Sequence, residues 1–319
     1  MMVWGLAALG LVILLLAGDA LVKGAVNLAL RAGIPALIVS LTIVAFGTSA
    51  PELLISVGAV LDGVPSLALG NVVGSNTANI LMVLGLPALM AGLATEHCET
   101  RKSYLQMLGA TLLFIGLAFT GVFGWWQALV LLAALALVLA DAFRDARRHR
   151  RADKEARQEA VEDEVEGADP DMPKWKIAMW LAMGLVGLPL GADLLVDNAT
   201  IIARQWGVSD GVIGLTLVAL GTSLPELATT VMAAIRRNAD VALGNVIGSN
   251  VFNLLAIIGV AALVGPIPVD PEFLSFDLWV MLAAALLIVP FVFLRWNITR
   301  LWGAVLTALY LLYVTVLLV

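Results

Sequence analysis

Charge and soft metal donors are scarce in this chain. Cys98 is the only cysteine, and the two histidines are His97 and His149, so neither an intrachain disulfide nor a multi-cysteine metal site can form. Charged residues make up 13% of the 319 positions against 61% hydrophobic ones, too little polar surface to keep a soluble fold of this size in solution. No nucleotide-binding glycine loop, no paired nucleophile and base and no basic patch occurs in the apolar runs. That argues against an enzyme, a bound cofactor and a nucleic-acid partner. The net charge of −6 arises partly in one hydrophilic stretch, so it points to no obligate protein partner. The medium the composition calls for is a lipid bilayer.

Long apolar runs are what the chain has instead. A spanning helix needs about 20 mainly apolar residues, and ten runs qualify: 3–30, 36–61, 65–92, 103–120, 124–142, 175–203, 210–235, 240–264, 274–294 and 298–318. They are continuous and Leu/Ala-rich, without the short alternating pattern of membrane barrels. The reading is an all-α membrane protein of ten transmembrane helices. The first run has no basic segment before it, so it reads as a retained helix rather than a cleaved signal. Residues 143–174, beginning basic and ending acidic, are too polar to bury in lipid and read as a solvated linker or frayed helix. They divide the chain into a first half, 1–142, and a second, 175–319.

With that linker in the cytoplasm, alternating loops place 17 of the 18 Lys and Arg residues on the cytoplasmic side, Arg204 alone lying opposite. By the positive-inside rule both termini are then extracytoplasmic, in a plasma (inner) membrane. Trp125, Trp126 and Trp279 fall near the outer boundaries, and Trp175, Trp296 and Trp302 near the inner ones, where amphipathic rings anchor.

The two halves repeat one another. Residues 19–79 align with 193–253 without a gap: GTSAPEL at 47–53 matches GTSLPEL at 221–227, and ALGNVVGSNTAN at 68–79 matches ALGNVIGSNVFN at 242–253. Asp19 falls on Asp193, Gly33 on Gly207, Leu41 and Thr42 on Leu215 and Thr216, and Val44 on Val218. Because five helices separate the copies, an odd number, the second copy enters the membrane from the opposite side. Inverted repeats of this kind place a substrate site near the midplane where the halves meet.

The repeated residues are oxygen donors. Glu52 and Glu226 lie mid-span, where an ionised carboxylate costs several kcal/mol, and no Lys or Arg sits at comparable depth. Pro51 and Pro225 precede them and free the carbonyls of Gly47 and Gly221. Thr48 and Glu52, like Thr222 and Glu226, share a helix face at i,i+4 spacing, and Ser49 and Ser223 add hydroxyls. The next helix carries Asn71, Ser75 and Asn79, repeated as Asn245, Ser249 and Asn253. Bonding between helices is the plainer role for Asn71, Asn76, Asn245 and Asn250. GxxxG pairs at Gly70 and Gly74, and at Gly244 and Gly248, allow close helix approach. With Cys98 read as a buried or interfacial small residue and His97 and His149 as solvated, the donor set is all oxygen, which suits calcium or sodium rather than zinc or copper.

Paired GTSxPE and GNxxGSNxxN segments in two inverted halves resemble the alpha-repeats of the sodium/calcium exchanger family within the cation/calcium antiporter superfamily. That resemblance implies secondary active exchange of sodium for calcium, without a cofactor, at a centre built by helices 2, 3, 7 and 8, with helices 1 and 6 sliding across it. By motif position it places ion-binding carboxylates on Glu52 and Glu226 and hydroxyl ligands on Thr48, Ser49, Ser75, Thr222, Ser223 and Ser249. Backbone-carbonyl ligands fall on Ala45 and Ala219, and amides on Asn79 and Asn253. Many members carry Asp where this chain has Asn253, and proton-coupled calcium transport is the alternative.

Overall fold

A computed structural model describes residues 2–156, 169, 172–207 and 219–318. In lipid a backbone satisfies its own polar groups only as helices or a closed barrel, and the apolar runs do so as helices. These are α1 (Met2–Ala32), α2 (Ala36–Thr48), α3 (Ala50–Leu61), α4 (Pro65–Ala91), α5 (Arg101–Ala118), α6 (Trp125–Ala156), α7 (Lys174–Gln205), α8 (Ala219–Thr222), α9 (Leu224–Ile235), α10 (Ala239–Val264), α11 (Phe273–Phe293) and α12 (Arg300–Leu318). Among the described residues the exception to helix is a two-residue antiparallel ribbon, β1 (Val122–Phe123) with β2 (Ile267–Pro268), Val122 opposite Pro268 and Phe123 opposite Ile267. A single bridge, Leu93 to Ile298, ties the other end of the bundle in the same way.

Among the described residues seven helices are long and apolar enough to cross a bilayer: α1, α4, α6, α7, α10, α11 and α12. The run 36–61 adds a broken span, because α2 and α3 meet at 42°. The break falls at Ser49, with φ −84° and ψ 5°, two residues before Pro51, where the proline ring and missing N–H interrupt the helix ladder. Of the run 210–235 only α8 and α9 are described, with a matching break at Ser223 (φ −87°, ψ 3°). Leu215, Thr216 and Val218 of the repeat lie outside the described residues. α5 opens on Arg101 and Lys102, and Lys102 bridges Asp141 and Asp145 of α6 at 2.6 and 2.5 Å. α6 itself runs unbroken past residue 143 to Ala156, because Ala, Arg, Lys and Glu are good helix formers even where the segment has left the apolar zone.

α4 and α10 form the centre: 83% of each spanning window is buried, against 22% for α6, α7 and α12. Close approach of α10 to α2 needs its glycines. A Cβ on Gly248 would stand 2.5 Å from the Leu41 carbonyl oxygen and one on Gly244 2.9 Å from that of Leu37. α1 and α7 pack antiparallel on each other along most of their length, as a second apolar cluster outside the main core. Their contacts come in matched pairs: Gly10 lies against Leu195 as Gly184 does against Leu21, residues that correspond at the spacing of the sequence repeat.

Candidate ion-binding site

Residues of α2, α3, α4, α9 and α10 converge on a buried polar cluster. Glu52 and Glu226, each 1% exposed, sit in the first turns of α3 and α9 just after the breaks. They are near enough to repel one another. Helix N-termini facing inward offer partial positive charge to an acid there, but no ion pair reaches either carboxylate among the described residues.

The asparagines hold this geometry. Asn71 donates through Nδ2 to the Glu52 carbonyl at 3.4 Å and to Ser56 Oγ at 3.1 Å. Asn245 does the same to the Glu226 carbonyl at 3.3 Å and to Thr230 Oγ1 at 3.2 Å. Their side-chain oxygens accept across the interface, Asn245 from Thr48 Oγ1 (3.3 Å) and Asn71 from Thr222 Oγ1 (3.5 Å). Asn76 Nδ2 donates to the Asn250 carbonyl at 3.2 Å while Asn250 Nδ2 donates to the Asn76 carbonyl at 3.4 Å. Each bond has a partner of the same kind in the other half. Ser56 and Thr230 were not singled out by sequence, though both stand four residues after the glutamate and correspond in the repeat.

The remaining donors are less symmetric. Ser49 Oγ donates to Glu226 Oε1 at 3.1 Å and Ser249 Oγ to the same oxygen at 3.4 Å. Thr48 Oγ1 also lies 3.2 Å from the Ala45 carbonyl and 3.5 Å from Ser249 Oγ, and the Ala45 carbonyl takes the Ser49 amide at 3.0 Å as well. Asn79 Nδ2 donates to Asn250 Oδ1 at 3.0 Å. Both oxygens of Glu52, Glu226 Oε2, the hydroxyls of Ser75 and Ser223, and the side-chain oxygens of Asn79 and Asn253 are buried without a hydrogen-bond partner. Ala219 is the first described residue of α8, and the Ser223 amide turns to Leu220 O at 3.1 Å. Asn79 and Asn253 each begin a wider turn, Asn79–Val83 and Asn253–Ile257, of the kind that re-aims side chains at functional sites.

Each orphaned buried acceptor costs about 1–3 kcal/mol, and more when charged. A cluster of them all in one place is expensive unless a ligand satisfies it. Hard cations take six to eight oxygens, carboxylate, carbonyl and amide alike. The soft candidates lie elsewhere: His97 is exposed beside Glu96 (3.5 Å), His149 hydrogen-bonds the Asp145 carbonyl on exposed α6, and burial pushes the Cys98 thiol up, with Asp240 adding to the effect. No cluster of three or more His, Cys, Asp or Glu residues that could hold a metal exists among the described residues. Two cavities, of about 650 and 330 Å³, are lined by Arg101, Arg295 and Leu105 and by Ala94, Arg237 and Asn297 respectively; neither is lined by a residue of the polar cluster.

The family pattern described as sodium/calcium exchanger protein matches residues 2–143 and 176–319. The chain belongs to that family. It is 32% identical to the sodium/calcium exchanger MaX1 of Methanosarcina acetivorans over 97% of this chain and 96% of the relative. It is 36% identical to the putative antiporter CaxA of Alkalimonas amylolytica over 87% and 85%, and 32% identical to the inner membrane protein YrbG of Escherichia coli over 92% and 88%. Among solved structures it resembles the sodium-calcium exchanger NCX_Mj soaked with 2.5 mM Na+ and 1 mM Sr2+, with a TM-score of 0.82, 30% identity and coverage of 99% and 98%. As a member of the exchanger family this chain is a helical membrane transporter of cations.

Proposed function

We propose that the protein exchanges sodium for calcium across the plasma (inner) membrane by alternating access, the two ions competing for one central set of oxygens. Glu52 and Glu226 neutralise the cation in transit. Thr48, Ser49, Ser75, Asn79, Thr222, Ser223, Ser249 and Asn253 supply neutral oxygens, and Ala45 and Ala219 backbone carbonyls. The observation that carries this reading is the pair of buried carboxylates with no cationic partner among the described residues, surrounded by buried acceptors that no protein donor satisfies. Asn253, where many members have Asp, leaves the centre with two acids. One calcium balances them.

The same reading takes the chain as ten spans in two inverted halves, 1–142 and 175–319, with the termini extracytoplasmic and the linker 143–174 cytoplasmic. The reciprocal bonds between Asn76 and Asn250, and the crossing pair Thr48 to Asn245 and Thr222 to Asn71, support the inversion, since each bond between the halves has its counterpart when the halves are exchanged. α1 and α7 lie outside the polar centre, packed mainly on each other, as a pair that slides across a fixed bundle would.

The deciding experiment is ⁴⁵Ca uptake into proteoliposomes under separately imposed sodium, proton and potassium gradients. Uptake driven by outward sodium at symmetric pH is expected. Uptake driven by a pH gradient without sodium would establish proton coupling in its place.

A further inference from the structure

Alternating access needs contacts that hold one face shut, and among the described residues α1 makes an ion pair of that kind on the linker side. We propose that the ion pair between Asp19 of α1 and Arg236 at the end of α9 is a one-sided latch that keeps the central site closed toward the linker side, and that the opposite face is built without one. The inference rests on the inverted-repeat exchange reading above.

Arg236 Nε donates to Asp19 Oδ1 at 2.5 Å, with the two side chains 19% and 28% exposed. One residue earlier in α1, Gly18 lets the helix lie directly on α9: its Cβ would stand 2.9 Å from the Ala228 carbonyl oxygen. Ala228 is 6% exposed beneath it, and Thr229 fully buried. The repeat gives every one of these residues a counterpart. Asp19 corresponds to Asp193, Arg236 to Asp62, Ala228 to Leu54 and Thr229 to Ile55. On that side the helix is open, Leu54 being 74% and Ile55 40% exposed.

Backbone does not explain the difference. Asp62 ends α3 at φ −79°, ψ 0° and Arg236 ends α9 at φ −81°, ψ 7°, and the next residues, Gly63 and Arg237, are both left-handed at φ 76° and 56°. The side chains alone differ. Asp62 and Asp193 are exposed, and no ion pair reaches either among the described residues. When α1 and α7 slide to the other state, Asp193 moves toward Asp62 on the opposite face as Asp19 now lies on Arg236, but it meets an acid. Opposite charges in a partly desolvated contact attract; like charges there repel. The two access states are therefore unequal, and the state with α1 over α9 is favoured. Asp19 and Arg236 act as positioning residues, neither being a donor of the central cluster.

Hydrogen–deuterium exchange of the full-length protein, read in segments 228–237 and 54–63, tests this. In the unaltered protein 228–237 exchanges more slowly than 54–63. Asp19→Asn and Arg236→Gln each raise exchange in 228–237 several-fold and slow it in 54–63, and the double change adds nothing further. The swapped pair Asp19→Arg with Arg236→Asp restores the original ratio. Asp62→Arg, at an exposed position, slows 54–63 by offering Asp193 a partner. Exchange rising equally in both segments, or unchanged in both, overturns the latch, since a merely structural ion pair has no sidedness. The readout is independent of ion flux, so a shifted ratio in a protein that moves no calcium against sodium would overturn the exchange reading instead.

Discussion

Glu226 receives hydroxyl hydrogen bonds from Ser49 and Ser249 on one oxygen, whereas their counterparts Ser223 and Ser75 make no bond to Glu52, which has the Thr222 hydroxyl nearby instead, although the two acids occupy equivalent turns of α9 and α3. The same inequality recurs around them. Asn79 bonds Asn250 Oδ1, while its counterpart Asn253 has no partner for either side-chain atom; Ser49 is engaged, and its counterpart Ser223 is not. The amide bonds of Asn71 and Asn245, and of Asn76 and Asn250, to main-chain carbonyls are by contrast alike in both halves. The frame is symmetric and the donor set inside it is not, which is what a site needs if its two halves bind and release an ion in turn.

The largest test of that contrast is at the carboxylates. Losing an outer-shell partner of a metal site costs 10–100-fold in affinity, so Glu52→Gln and Glu226→Gln should each lower sodium-driven calcium uptake at least about 100-fold. Without ions, Glu52→Gln should raise the melting temperature more than Glu226→Gln, because Glu226 has the Ser49 and Ser249 bonds to lose and Glu52 has no serine bond. Equal thermal shifts for the two would remove the asymmetry.

Next come the braces. Asn76→Ala and Asn250→Ala each leave one carbonyl without its donor across the interface, a loss of about 1–3 kcal/mol. Chemical denaturation should show Asn250→Ala costing more than Asn76→Ala, since Asn79 Nδ2 also loses its acceptor, with the double variant costing less than their sum. Additive losses would show that the two bonds do not form one brace.

The smallest effects separate the serines. Ser49→Ala removes a hydrogen bond to a charged group and should destabilise the ion-free protein by about 1.5–3 kcal/mol, while Ser223→Ala should be close to neutral there. With saturating calcium both should lose affinity. An ion-free cost for Ser223→Ala equal to that of Ser49→Ala would contradict the assigned difference.

Much of this was legible in the sequence because the features that carry it are local. Pro51 and Pro225 marked the breaks within two residues, and the constant spacing of the repeat paired Asn71 with Asn245 and Asn76 with Asn250 before any geometry was known. Burial of Glu52 and Glu226 followed from their place in apolar runs. Other features leave no local mark. The wide turns at Asn79–Val83 and Asn253–Ile257 add a residue to a turn without interrupting the apolar pattern. α6 continues to Ala156 because the charged residues beyond the membrane still favour helix. The ribbon of Val122–Phe123 with Ile267–Pro268 is too short for any periodicity. Which face α1 closes is a property of the assembled state, and two near-identical motifs are silent on it.

The central claim is that Glu52 and Glu226 together hold the transported cation. Equilibrium binding of ⁴⁵Ca to the purified, unaltered protein, titrated with sodium and repeated with Glu52→Gln and Glu226→Gln, measures it directly. The account predicts saturable calcium binding that sodium displaces competitively and that each substitution abolishes. Calcium bound with undiminished affinity by both variants would contradict it.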